Sequence, residues 1–219
     1  MGRLLTAQNP VQAAAGKEIV DTYDKDGNLL TTTDADGHTT TYAYNARDEE
    51  TSMTDALGNV THYGYDASGN LITVTDPINK ITTYSYNCYN NIQSVTDPLH
   101  ETTLYGYDAD QELTSVTDPK GNTIKYGYDA LGRLEDKVLP NPNGGSGGGV
   151  GLATYTYGYD LDGNLLTSTD PNAHTTSYAY NALDEETSVT NADGDTESFT
   201  YDHDGNVLTD TDGLDHTTT

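Results

Sequence analysis

The chain has 219 residues and a formal net charge of −26, with one cysteine, no tryptophan and 33% hydrophobic residues. That balance argues against nucleic acid or an anionic membrane as partner, since both need clustered Lys and Arg. It also leaves no apolar run long enough to insert in a membrane, and the lone Cys88 excludes an internal disulfide framework.

The first segment, residues 1–22, reads as a degenerate repeat. Gly2-Arg3-Leu4-Leu5-Thr6 matches Gly27-Asn28-Leu29-Leu30-Thr31, with extra residues expected as a loosened loop over Gln12 to Lys17. The opening stretch lacks the apolar segment of a signal peptide.

Regular repeats fill residues 23–139. Tyr23-Asp24 recurs as Tyr44-Asn45, Tyr65-Asp66, Tyr86-Asn87, Tyr107-Asp108 and Tyr128-Asp129, always 21 residues on. A step of 31 leads to Tyr159, and the step of 21 resumes at Tyr180 and Tyr201. A fixed period in this range outranks every local motif as a guide to architecture. Within one unit, Asp24-Lys25-Asp26-Gly27 is a turn, with Asp at its start and Gly where positive φ is needed. Leu29 to Thr33 is a short strand, Asp34-Ala35-Asp36-Gly37 a second turn, and Thr39 to Tyr44 a second strand. Two strands of about six residues and two tight turns use up the period, so each unit is a β-hairpin.

In the second strand Tyr42 and Tyr44 share one face, with Ala43 between them on the other. That intermediate position stays small (Ala43, Gly64, Ser85, Gly106, Gly127, Gly158), which would let another layer or a tight bend approach. The first strand repeats an aliphatic residue at one phase: Leu29, Leu71, Ile92, Leu113, Leu134, Leu165 and Val207. Glu50 and Glu186 break it, exposing a longer period of 42 in which Asp and Asn alternate after Tyr, broken at Asp129.

Residues 140–151 are a Gly/Pro-rich insertion at a hairpin turn, and residues 152–219 resume the regular repeats, the last one truncated. Turn tips tolerate insertion, so residues 1–219 read as a single array. The fold class is all-β: tandem 21-residue β-hairpins forming a long, twisted antiparallel sheet. The alternative is a β-solenoid with one coil per 21 residues. Solenoid stacking would pile like-charged Asp turns together, so the paired turns favour hairpins. The sequence begins just inside a turn and stops mid-strand, as expected of a fragment of a longer array or of a subunit that pairs end to end.

The phrases YDASGNLITVTDP (65–77), YDALGRL (128–134) and YDLDGNLLTSTDP (159–171) resemble the YD-repeat, or Rhs-repeat, family over nearly the whole chain. The resemblance implies antiparallel strands wound into hollow shells, as in Rhs proteins, insecticidal toxin complexes and teneurins. Those shells need many more repeats, and the family's C-terminal self-cleavage motif has no counterpart here, so autoproteolysis and an enclosed toxin are not carried over.

Candidate chemistry is thin. His38, His174 and His216 share one repeat phase, which is copying rather than convergence on a site. No His with an orienting acid accompanies Cys88 by pattern, and no carboxylate pair stands out for glycoside hydrolysis. An enzyme is not expected. The Asp-rich turns offer calcium ligands at Asp24, Asp26, Asp160, Asp162, Asp202 and Asp204. Calcium needs six or more oxygens, and the competing reading is Asp bonding to its own backbone. Asn59-Val60-Thr61 is a lone N-glycosylation pattern. The functional expectation is a structural scaffold segment of a large extracellular or cell-surface protein, forming a shell wall or an end-to-end filament through self-association of open strand edges. The alternative is an adhesive module that binds glycans or cell-surface proteins.

Overall fold

The structure is a computed structural model that describes residues 4–7, 19–140 and 153–219. It divides into two compact units, Met1–Thr103 and Leu104–Thr219, with the boundary inside the tenth strand. In the first unit lie β1 (Leu4–Ala7), β2 (Ile19–Tyr23), β3 (Leu29–Thr33), β4 (Thr39–Tyr44), β5 (Glu50–Thr54), β6 (Val60–Tyr65), β7 (Leu71–Thr75), β8 (Ile81–Tyr86) and β9 (Ile92–Thr96). β10 (Thr102–Tyr107) straddles the boundary. The second unit continues with β11 (Leu113–Thr117), β12 (Thr123–Tyr128), β13 (Leu134–Val138), β14 (Thr154–Tyr159), β15 (Leu165–Thr169), β16 (Thr175–Tyr180), β17 (Glu186–Thr190), β18 (Thr196–Tyr201), β19 (Val207–Thr211) and β20 (Thr217–Thr218). The loop expected over Gln12 to Lys17 and nearly all of the 140–151 insertion lie outside the described residues. Around that insertion β13 still pairs with β14, and the Leu139 amide donates to the Ala153 carbonyl at 2.8 Å.

Within each unit the strands form an antiparallel meander. Every contact between strands joins elements that are consecutive in the chain, so hairpins, not coils, are the building block. Two ladders alternate. The one that closes on the Tyr-Asp or Tyr-Asn loop spans four pairs and skips one residue: His62↔Thr75, Tyr63↔Val74, Gly64↔Thr73, then Tyr65↔Leu71. The skipped Ile72 is a β-bulge, and Thr51 and Leu166 are skipped in the same way. The other ladder is three pairs, such as Thr73↔Thr83, Val74↔Thr82 and Thr75↔Ile81.

This register gives the sheet two unlike faces. One carries the two tyrosines of each second strand with the aliphatic residues opposite them, as in Tyr63↔Val74 and Tyr65↔Leu71. The other carries mainly Thr, Ser and Gly, with His62, Ile81, Leu104, Lys125 and Asp136 among them. On that face the small residues make room for a cross-strand neighbour rather than for a further layer. A Cβ built on Gly158 would lie 2.6 Å from the Thr167 hydroxyl, and one on Gly64 would overlap the Thr73 hydroxyl. Where Ser or Thr stands instead, the pair closes a hydrogen bond, as at Ser85–Ser94 (2.7 Å) and Thr200–Thr209 (2.6 Å).

No described residue is buried, so there is no conventional core. The strands hold half-exposed side chains on both faces, and stability rests on ladders, loops and the tyrosine rows. Among the described residues no helix is long and apolar enough to cross a membrane.

Candidate functional site

The five-residue loops share one plan, with Gly27 and Gly163 departing from it by donating to the Asp24 and Asp160 carboxylates and not to their carbonyls. In Asp66-Ala67-Ser68-Gly69-Asn70 the Asp66 amide donates to the Asn70 carbonyl at 2.9 Å, and the Gly69 amide donates back to the Asp66 carbonyl at 3.3 Å. The fourth residue has positive φ whatever its identity, from Gly69 (88°) to Asn79 (62°), His100 (64°) and Asp48 (60°). The first carboxylate supplies the rest. Asp66 Oδ1 accepts the Ser68 and Asn70 amides at 2.8 and 2.9 Å, and Oδ2 accepts Asn70 Nδ2 at 3.0 Å. Asn70 thus holds the Asp66 carboxyl below its ordinary value, as Asn28 does for Asp24 and Asn206 for Asp202.

The first and fifth positions are complementary in most loops, the exceptions being Asp97 with Glu101, Asp108 with Glu112 and Asn87 with Asn91. Elsewhere an Asp at the first takes a side-chain donor at the fifth, as with Asn28, His38, Asn59, Asn122, Arg133, Asn164, His174 and His216. An Asn at the first reverses the polarity and takes an acid: Asn45 with Glu49 (2.6 Å), Asn181 with Glu185 (2.6 Å), Asn191 with Asp195 (3.2 Å). The three histidines whose shared phase looked like copying are therefore loop caps, each with Nδ1 about a hydrogen bond from its own Asp at 2.9–3.1 Å.

Successive loops on the tyrosine edge also touch. Asn28 Nδ2 donates to Asp48 Oδ1 at 2.8 Å, and Asn164 Nδ2 repeats the contact with Asp184 Oδ1 at 2.8 Å. Arg47 pairs with Glu49 at 2.9 Å and donates to the Asp66 and Ala67 carbonyls, both at 2.9 Å. In the second unit Arg133 lies 4.8 Å over the Tyr159 ring and donates to the Asp160 carbonyl at 2.6 Å.

The expected calcium ligands fare unequally. Asp24 and Asp26 are brought together with Asp48, which sequence reading missed; ligand oxygens of the three lie within 4.8 Å of one another. The signal was the period itself, since a step of 21 sets the fourth loop residue beside the fifth of the preceding loop. Much of this acidity is already engaged. Asp24 Oδ1 accepts three amides at 2.8–2.9 Å, and Lys25 Nζ sits 2.5 Å from Asp26 Oδ2. Three carboxylates suit a hard cation but supply fewer oxygens than calcium takes. Asp160 and Asp162 occupy the same loop positions, as do Asp202 and Asp204, with their own amides donating to Asp160 and Asp202. Asn59 lies on an exposed loop with its Nδ2 held by Asp55 Oδ2 at 2.7 Å. Cys88 is exposed.

The recurring tyrosines Tyr23, Tyr44, Tyr65, Tyr86, Tyr107, Tyr128, Tyr159, Tyr180 and Tyr201 all end their strands at this same edge. The three-pair ladder stops before it reaches the bulge, leaving a strand-end carbonyl beyond the last rung. The tyrosine hydroxyl fills that gap: Tyr86 donates to the Leu71 carbonyl at 2.8 Å, Tyr128 to Leu113 at 3.0 Å, Tyr159 to Leu134 at 3.0 Å and Tyr201 to Glu186 at 2.6 Å. Burial against neighbouring strands pushes the Tyr44, Tyr65, Tyr86 and Tyr128 phenols up. In each unit this edge and face form the candidate functional surface, a structural lattice with an acidic rim.

The same pattern is found in known proteins. The sequence model of the teneurin YD-shell matches residues 8–144, and that of the RHS repeat matches residues 159–196 and 180–217. No curated protein matches the sequence. Among solved structures, the TcdB2–TccC3–Cdc42 crystal structure is similar at 18% identity and TM-score 0.58, over 92% of this chain and 13% of that one. TcdB2–TccC3 without its hypervariable C-terminal region gives 18% and 0.57, over 92% and 13%. The Tc holotoxin pore of Photorhabdus luminescens gives 17% and 0.56, over 94% and 14%. The chain therefore spans about an eighth of the length of these structural relatives, and at such identity the likeness is one of fold.

Proposed function

Because this chain belongs to the teneurin YD-shell and RHS-repeat family, we propose that it is a wall-building segment of a larger, shell-type repeat protein, secreted or held at the cell surface. One observation carries this reading. Each strand is bonded only to its chain neighbours, and no described residue is buried. Within each unit such a sheet is one layer thick, and it is extendable by any further hairpin, since repeat arrays grow by nearest-neighbour addition. The strand pattern supplies the means of growth. β20 pairs with β19 through Asp210↔Thr218 and Thr211↔Thr217; β19 is its one strand partner among the described residues, so its other edge can receive a further strand.

Negative-stain electron microscopy of the purified chain tests this reading. Fibres or hollow particles are the expected result, and Thr217→Pro, which removes an N–H facing away from β19, abolishes them. Fibres that persist in the proline variant overturn edge pairing. Monodisperse particles that are retained on a glycan array instead favour the adhesive reading.

A further inference from the structure

We propose that the tyrosine-lined face binds lysine or arginine side chains of a basic polypeptide, at Glu50 in the first unit and at Glu186 in the second. Seven hairpins put an aliphatic residue at this position, from Leu29 to Val207. The register explains why: the position lies opposite the strand-end tyrosine, as Leu71 does to Tyr65. Glu50 instead lies opposite Tyr44, and Glu186 opposite Tyr180. Directly opposed side chains stand about 5 Å apart at Cβ. The next pairs along the same face are Tyr42↔Met53 and Tyr178↔Val189. On the following strand Tyr201 anchors its hydroxyl on the Glu186 carbonyl, which sets its ring beside that glutamate.

Each glutamate is half-buried among these rings. Neither carboxylate has a hydrogen bond or ion pair among the described residues, whereas the adjacent Glu49 is held by Asn45 and Arg47. Burial pushes the Glu50 carboxyl up, the mark of an acid with no compensating cation. A position that is aliphatic elsewhere, occupied twice by an unpaired acid, sacrifices stability, and such sacrifices gather where function needs them. Aromatic faces around a carboxylate form a receptor for an organic cation, because ring quadrupole and charge attract it together. The cation must come from outside, since the chain has nine Lys and Arg against thirty-five acids. A polycation is favoured over a small ammonium ion because the whole acidic surface steers it in.

The proposal is independent of wall assembly, because binding is read on the dissolved chain. The probe is a fluorescein-labelled peptide of alternating lysine and glycine, followed by anisotropy at about 150 mM salt, where exposed charges are screened beyond about 8 Å. Glu50→Gln with Glu186→Gln should weaken binding by about tenfold or more, while the equally charged control Asp110→Asn with Asp193→Asn binds as the parent chain does. Thermal melting of the glutamine variant should match or exceed the parent. On the unaltered chain, tyrosine fluorescence should change saturably with the lysine peptide and not with its glutamine counterpart. Equal affinity of the two double variants, or a silent tyrosine signal, would overturn the proposal.

Discussion

At the ends of each loop two side chains decide how well the hairpin closes. Asp108 breaks the complementarity, because the fifth residue is Glu112 and not a donor. Burial and the neighbouring Asp108 push the Glu112 carboxyl up. Glu112→Asn should therefore raise the melting temperature at neutral pH, the amide supplying what Asn28 and Asn70 supply to Asp24 and Asp66. No rise, or a fall, would show that the pairing of first and fifth residues is incidental. Tyr86 offers a second contrast. Its hydroxyl holds the Leu71 carbonyl, whereas none of the bonds described above uses the Tyr84 hydroxyl two residues earlier. Tyr86→Phe should cost about 1 kcal/mol in chemical denaturation and Tyr84→Phe nearly nothing, since a removed partner leaves a carbonyl unsatisfied.

Hairpins repeat the same loop chemistry many times, which gives the chain a collective response to acid. The fifth residue's hydrogen bonds hold the Asp24, Asp34, Asp66, Asp202 and Asp212 carboxyls below the ordinary 3.8. A carboxyl depressed in the folded state contributes stability that is present above its unfolded value and lost as pH falls through the folded one. Circular dichroism should show the sheet intact down to about pH 4 and melting below it; a sheet stable to pH 2 would show the carboxylate bonds to be dispensable. The hairpins themselves were legible in the sequence, because the period of 21 and the turn residues act locally and the chain never leaves its neighbours. Three things were not. The bulge that skips Ile72 leaves no mark in an apolar strand. The non-glycine positive-φ residues, such as Asn79 and His100, are imposed by the loop and not by their own preference. Asp48 joined Asp24 and Asp26 only once the offset between neighbouring loops was known.

Taken whole, the chain carries −26 of charge, and none of its described residues is buried. Self-repulsion of this size destabilises a folded state and is relieved by screening. Sodium chloride should raise the melting temperature steadily. Calcium should raise it further at equal ionic strength if Asp24, Asp26 and Asp48 hold the ion, and Asp48→Asn should remove that excess. Equal curves for calcium and sodium would reduce the cluster to loop chemistry. The restriction of every rung to strands adjacent in the chain has a mechanical corollary. Pulled from its two ends, the chain meets no distant clasp among the described residues. It yields like a zipper, one hairpin at a time, each release lengthening the chain by a single repeat while the rest keeps its form.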